Sequence, residues 1–127
     1  HWPFAAPEDY LGYDGGGGIG SGPGMAVGAA LALAGNGRLP VAITGDGDFL
    51  MNGEELATAA QYGANMIVVV IDNGAYGTIR MHQEREYPGR VSATRLANPD
   101  FATLGAAYGA WSARVETTEQ FIAALDE

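Results

Sequence analysis

Hydrophobic runs separated by small-residue and polar stretches give the first picture of the fold. Residues 39–44 form a short apolar run, and residues 66–71 form a second one that contains three consecutive valines. Both runs predict strands, and the composition of the second is typical of a fully buried parallel strand. Residues 25–34 are small and apolar on all sides, which predicts a buried helix that Pro23 can open and Gly35 can end.

One further helix is predicted between the two strands. Asn52 can cap its N-terminus, Glu55 stands at the reciprocal position of a capping box, and Gly63 can end it. The Gly-Asp-Gly sequence that precedes this helix is, taken alone, typical of an ordinary turn.

The C-terminal half continues the alternation of helices and strands. Residues 77–95 are polar and charged, and they predict a short helix followed by a mobile surface loop. Asp100 can cap the next helix, residues 111–115 predict a strand, and Thr117 or Thr118 can cap a final helix. This order predicts an α/β fold, with a parallel sheet covered by helices on both faces.

Length and composition narrow the choice of class. A chain of 127 residues, 47% of them hydrophobic, is long enough for one domain at most. The sequence has no initiator Met, and we expect the domain to be truncated at both ends. A net charge of −9 argues against nucleic-acid and anionic-membrane partners. The absence of cysteine excludes disulfides and fits a cytoplasmic location. No apolar run approaches the ~18 residues of a membrane span.

Two polar side chains follow the two predicted strands. Asp46 lies in Gly45-Asp46-Gly47 after the first strand, and Asn73 follows the second. The carboxyl ends of parallel strands are where open α/β sheets bind ligands. A carboxylate and an amide oxygen suit Mg²⁺, which joins few protein ligands to phosphate oxygens. The sequence therefore predicts a site for a phosphorylated cofactor held through a metal.

A dinucleotide-binding module is the competing interpretation. Gly15-x-Gly17-x-x-Gly20 matches its glycine fingerprint formally, but a single match is weak and no strand is predicted before it. The sequence therefore favours the metal-linked phosphate site.

The motif resembles that of thiamine-diphosphate-dependent enzymes, in which Gly-Asp-Gly is followed at this distance by a pair of amides. Here the pair is Asp72-Asn73, a departure at its first position, while the metal-binding second position is intact. The similarity extends over residues 10–127, and residues 76–80 look most like acetolactate-synthase-type enzymes. It implies the three-layer fold of the C-terminal diphosphate-binding domain, as part of a larger chain.

The resemblance also implies roles for individual residues. Mg²⁺ binds the side chains of Asp46 and Asn73 and the carbonyl of Ala75. Ile19 is the wedge beneath the bent cofactor, although an ordinary core position is the alternative. The Asp48 carboxylate must turn away from the phosphates or cap a helix. The full set of implied cofactor-binding residues is Gly17, Gly18, Ile19, Gly45, Asp46, Gly47, Asp48, Asn73, Ala75, Tyr76 and Gly77.

The resemblance implies an enzyme that uses thiamine diphosphate and Mg²⁺ to act on 2-oxo acids. The implied reaction is decarboxylation with carboligation, as in acetolactate-synthase-type enzymes. A 2-oxo acid decarboxylase of the benzoylformate or pyruvate type and a non-catalytic cofactor-binding relative are the alternatives. The activating Glu is expected in a pyrimidine-binding domain of the same or a second subunit. No catalytic residue is therefore assigned here, and we expect this domain alone to be inactive and the enzyme to be a homodimer or homotetramer.

Substrate contacts are expected just after the metal loop. Ile79 would face a small acyl group, and a basic side chain could bind the substrate carboxylate; the alternative is a solvated helix or loop face. The candidate basic residues are Arg80, His82, Arg85 and Arg90.

Overall fold

Two parallel strands, β1 (Val41–Gly45) and β2 (Ile67–Ile71), form the sheet of the computed structural model, which describes residues 3–12 and 18–127. Val41 pairs with Ile67 at one end of the ladder and Gly45 with Ile71 at the other. This register brings the carboxyl ends of both strands to the same level at one edge of the sheet.

Six helices accompany the two strands in the described ranges. They are α1 (Ser21–Ala32), α2 (Asp46–Asn52), α3 (Glu55–Tyr62), α4 (Gly77–Glu86), α5 (Phe101–Ala107) and α6 (Thr118–Leu125), and a 3-10 turn covers Pro7–Asp9. The α/β class with a parallel sheet is confirmed. None of these helices is both long and apolar enough to cross a membrane.

The core lies where α1 meets β1, α2 and α3. Pro23, Ala26, Val27 and Ala30 form the buried face of α1, while Thr44 is buried on β1. Phe49 of α2 is also buried, and its ring meets that of Phe101 edge to face, with centroids 5.6 Å apart. Packing therefore ties α2 and α5 to the end of the sheet where the predicted site lies.

Three helix boundaries match the sequence predictions. Asp100 caps α5 by accepting a hydrogen bond of 2.7 Å from the backbone N–H of Thr103. Thr117, rather than Thr118, caps α6 and accepts from the Gln120 N–H at 3.2 Å. Gly63 ends α3 in the left-handed conformation at φ 62°, which glycine adopts without steric cost.

The prediction that Asn52 caps the helix between the strands is wrong. Asp46 begins α2 directly after β1, with Gly45 as its extended N-cap residue, and Asn52 is the last residue of that helix. A separate helix, α3, starts at Glu55 without a side-chain cap. The Asn52 amide is engaged elsewhere, because it donates to the Gly20 carbonyl at 2.9 Å.

Two further predictions about the sheet are wrong. The first is the burial of strand β2, which is half-buried rather than fully buried. The neighbouring strand β1 is also open to solvent, since Ile43 is 68% exposed. The described sheet has only two strands, so each is an edge strand with an uncovered side. Residues 111–115 form no ladder with β1 or β2, so they lack the partner that defines a strand.

The segment expected to be a mobile surface loop is held in place at its C-terminal end. The Gln83 side chain donates to the Ser92 carbonyl and accepts from the Ser92 N–H, both at 3.0 Å. Further along, the Leu96 N–H donates to the Gly74 carbonyl at 2.8 Å. These bonds hold residues 92–96 near the C-terminal end of β2, and Asn98 therefore lies next to the predicted site.

Candidate functional site

Asp46 lies at the centre of the candidate site, at the junction of β1 and α2. It is only 2% exposed. Its Oδ1 accepts from the Gly47 N–H at 2.8 Å, while Oδ2 accepts from the Gly74 N–H at 2.8 Å and from Asn98 Nδ2 at 2.7 Å. Burial acts to raise the pKa of Asp46, but these donors outweigh it and hold the pKa below the usual 3.8. The carboxylate is therefore ionised at neutral pH.

Asn73 sits in the turn that follows β2, beside the residue that binds Asp46. Its Oδ1 accepts from the Ala75 N–H at 2.9 Å, which closes a local turn. The intervening Gly74 adopts φ 67° and directs its own N–H to Asp46. The structure thus brings the two predicted metal ligands to one edge of the sheet, as their positions after parallel strands predicted.

Asp72 and Asn98 complete a network that the sequence did not reveal. The Asp72 Oδ1 atom accepts from Asn98 Nδ2 at 2.7 Å and from the Gly74 N–H at 3.2 Å. Asn98 Oδ1 is buried and has no hydrogen-bond partner in the described structure. In the sequence, Asn98 stands before a proline and a helix cap and reads as a turn residue. No local pattern connects it to Asp46.

The oxygen atoms gathered here fit Mg²⁺. Carboxylate and amide oxygens are hard ligands, and the Asn73 oxygen retains a second lone pair beyond its bond to Ala75. Residues 3–12 and 18–127 contain no group of three or more His, Cys, Asp or Glu side chains that could hold a metal alone. A metal at this site would therefore need phosphate and water oxygens to complete its coordination, which is the usual arrangement for Mg²⁺ bound with a phosphorylated ligand.

Glycine at position 47 is required by close packing. A Cβ atom there would lie 2.5 Å from Cε1 of Tyr76 and 3.2 Å from a methyl carbon of Leu96. A Cβ on Gly77 would lie 3.2 Å from Nδ2 of Asn73, which also leaves little room. The predicted site residues Gly47, Tyr76, Gly77 and Asn73 are therefore neighbours. The Gly47 N–H donates to Oδ1 of Asp46 in this structure.

The glycine-rich segment approaches the same region from α1. Gly17 lies outside the described residues. Gly18 is exposed, and Ile19 is 57% exposed. The alternative that Ile19 is an ordinary core residue is therefore wrong in this structure, and its side chain is accessible to a ligand.

Asp48 turns its carboxylate toward this segment. It accepts hydrogen bonds from the N–H of Gly20 and from the hydroxyl of Thr44. One turn later on α2, Asn52 donates to the carbonyl of Gly20 at 2.9 Å. Both polar groups of Gly20 are thus held by one face of α2. We call this pair of contacts the Gly20 clamp. We expected the Asp48 carboxylate to turn away from the phosphates or to cap a helix. Here it points to Gly20 and Thr44.

The candidate substrate contacts, on α4 and in the segment that follows it, are exposed. Ile79 is 47% exposed. Arg80 pairs with Glu84 at 2.9 Å, and Arg85 pairs with Glu86 at 2.8 Å. Arg85 also contacts His82 Nδ1 at 2.9 Å, and Arg90 lies over the ring of Tyr87 at 5.7 Å. In this structure the basic side chains make the contacts of a solvated face.

Comparison with known proteins identifies the class. Residues 1–127 match the family model described as "Thiamine pyrophosphate enzyme, C-terminal TPP binding domain". The chain belongs to this family of thiamine-diphosphate-dependent enzymes, as the resemblance of its motif had indicated.

Individual relatives are acetolactate synthases. The chain is 35% identical over 128 residues to the acetolactate synthase large subunit of Haemophilus influenzae, covering 100% of this chain and 22% of that protein. It is 40% identical over 131 residues to the Corynebacterium glutamicum large subunit, covering 98% and 20%. For the isozyme 2 large subunit of Escherichia coli the identity is 35% over 127 residues, covering 99% and 23%. The chain thus spans about a fifth of the length of these relatives.

Proposed function

We propose that this chain holds the diphosphate of thiamine diphosphate through Mg²⁺, in an enzyme that acts on 2-oxo acids by acetolactate-synthase-like decarboxylation and carboligation. The observation that carries this proposal is the buried, ionised Asp46, fixed by three donors beside the Asn73 turn. The relatives named acetolactate synthase support the choice of reaction.

The metal ligands would come from two loops. Side-chain oxygens of Asp46 and Asn73 and the carbonyl of Ala75 would bind Mg²⁺, and in the described part of the chain the Ala75 carbonyl accepts no backbone hydrogen bond. Asp46 is oriented by its donors before the metal arrives, so little conformational entropy is lost on binding. Gly45, Gly47 and Asp48 would lie along the diphosphate.

The cofactor supplies the chemistry, and the protein supplies position. When bound, thiamine diphosphate provides a carbon nucleophile and an electron sink for the loss of CO₂. Gly18 and Ile19 would support the middle of the cofactor, since Ile19 is exposed beside the Gly20 clamp. Tyr76 and Gly77 would close the site on the side of α4, where Ile79 would contact a small acyl group.

The whole enzyme requires more than this domain. We propose that an activating Glu comes from a pyrimidine-binding domain of the same or a second subunit, in a cytoplasmic homodimer or homotetramer. This domain alone would then be inactive. The size of the relatives supports this arrangement, because they are about five times as long as the region matched here.

Turnover by the full-length protein tests the proposed reaction. We would supply thiamine diphosphate and Mg²⁺ with a panel of 2-oxo acids, and measure CO₂ release and the carbon skeleton of the product. A product that joins two substrate molecules is expected, and it should disappear in Asp46→Ala but not in the surface control Asp126→Ala. Aldehyde alone would indicate a decarboxylase. Cofactor binding without turnover of any acid would indicate a non-catalytic relative.

A further inference from the structure

One amide group joins two carboxylates that come from different strand ends. Asn98 Nδ2 lies 2.7 Å from Asp46 Oδ2 and 2.7 Å from Asp72 Oδ1. The backbone N–H of Gly74 donates to the same two oxygens, at 2.8 Å and 3.2 Å. An amide nitrogen carries two protons, so Asn98 has one proton for each carboxylate.

Within residues 3–12 and 18–127, no cation is paired with either carboxylate. The salt bridges found among the described residues involve other acids, namely Asp9, Glu84, Glu86 and Glu116. Two like charges this close repel one another. The donors that compensate for this repulsion in the described part of the chain, Asn98 and Gly74, are neutral. Without the Asn98 amide, Asp46 and Asp72 would share only the N–H of Gly74, and Asp46 would lose one of its three donors.

We propose that Asn98 is a positioning residue for the metal site, which it serves by holding Asp46 in its binding orientation against repulsion from Asp72. The inference rests on the proposed function in treating Asp46 as a ligand of Mg²⁺. Asn98 does not need to touch the metal for this role. Its own Oδ1 is buried without a hydrogen-bond partner in the described structure.

The structure predicts which second substitution should restore the metal affinity that Asn98→Ala loses. Asp72→Asn removes one of the two charges and keeps the size of the side chain. If Asn98 acts by separating two carboxylates, Asp72→Asn should restore much of what Asn98→Ala loses. If Asn98 only fills space, Asp72→Asn should not repair the loss.

The experiment compares full-length wild type, Asn98→Ala, Asp72→Asn and the double variant, with Asn65→Ala as an exposed asparagine control. The Mg²⁺ concentration that half-saturates thiamine diphosphate binding is measured by calorimetry. Removing an outer partner of a metal ligand typically lowers metal affinity by about 10- to 100-fold. We expect that loss in Asn98→Ala, recovery to within about threefold of wild type in the double variant, and little change in Asp72→Asn or Asn65→Ala.

A second measurement separates this inference from the proposed function. Thermal unfolding in EDTA reports on the carboxylate pair without metal or cofactor. Asn98→Ala should lower the melting temperature, and Asp72→Asn should raise it again in the double variant. If wild type binds no cofactor but this pattern holds, the proposed function fails and the role of Asn98 in holding Asp46 stands. If the effects of the two substitutions simply add, the inference is overturned. Should Asn98→Ala not fold, Asn98→Ser, with one proton to donate, replaces it.

Discussion

The Gly20 clamp makes a prediction whose size can be worked out from its contacts. Asp48→Ala removes the charged acceptor of the Gly20 N–H and of the Thr44 hydroxyl, and both residues are buried. A hydrogen bond to a charged group contributes about 1.5–3 kcal/mol. The Thr44 hydroxyl can also donate to the Gly45 carbonyl at 3.3 Å. Losing Asp48 as an acceptor should therefore cost less free energy at Thr44 than at the Gly20 N–H. We therefore expect Asp48→Ala to destabilise the clamp by about 2–3 kcal/mol.

Asn52→Ala should have a smaller effect at the same place. It removes one neutral hydrogen bond, from Asn52 Nδ2 to the Gly20 carbonyl at 2.9 Å. Such a bond contributes about 1 kcal/mol. Because both side chains hold the same residue, the double variant should deviate from additivity. Asp48→Asn keeps an acceptor oxygen without the charge and should fall between Asp48→Ala and wild type.

Hydrogen exchange on the full-length protein is the assay, because it reports local opening near Gly20 independently of catalysis. A loss of about 2–3 kcal/mol corresponds to about 30- to 140-fold faster exchange, at 1.4 kcal/mol per factor of ten. Asp126→Ala, on the exposed end of α6, is the matched control and should leave this exchange unchanged. Unchanged protection in Asp48→Ala, or a larger effect of Asn52→Ala, would refute the clamp.

Two other predictions concern the metal loop. Gly47→Ala places a methyl group 2.5 Å from the Tyr76 ring and should cost about 1–3 kcal/mol in thermal unfolding. The control Gly28→Ala lies in α1, where no atom of the described residues comes within 4 Å of the added Cβ, and it should be neutral or stabilising. A neutral Gly47→Ala would contradict the packing. Because the pKa of Asp46 is lowered below 3.8, the stability it contributes is present above that value and lost as pH falls through the folded pKa. The difference in unfolding free energy between wild type and Asp46→Asn should therefore be constant from pH 8 to about pH 5 and shrink only in stronger acid. A decline of this difference that begins near neutral pH would contradict the lowered pKa of Asp46.

Local patterns predicted the parts of this molecule that depend on neighbouring residues. The apolar runs located β1 and β2, the small residues located α1, and Asp100 was recognised as a cap. Because the carboxyl ends of parallel strands meet at one edge, the positions of Asp46 and Asn73 after those strands were enough to bring them together.

The contacts that the sequence did not predict connect distant segments. Asn98 reaches Asp46 across 52 positions, and Asp48 reaches Gly20 across 28. Such contacts depend on how α2 and the segment before α5 pack, which no local periodicity encodes. The same limit explains the error at α2: Gly45-Asp46-Gly47 has the composition of a turn, yet Gly45 caps a helix because burial of Phe49 stabilises it.

Calorimetric titration of thiamine diphosphate into the full-length protein tests the central claim most directly. The titration is run with Mg²⁺ and again with EDTA, for wild type, Asp46→Ala and the control Asp126→Ala. The account predicts binding by wild type and the control that requires Mg²⁺ and is lost in Asp46→Ala. Wild-type binding that is unchanged by EDTA, or binding that survives in Asp46→Ala, would contradict the assignment of Asp46 to the metal. Absence of any wild-type binding would contradict the proposed function itself.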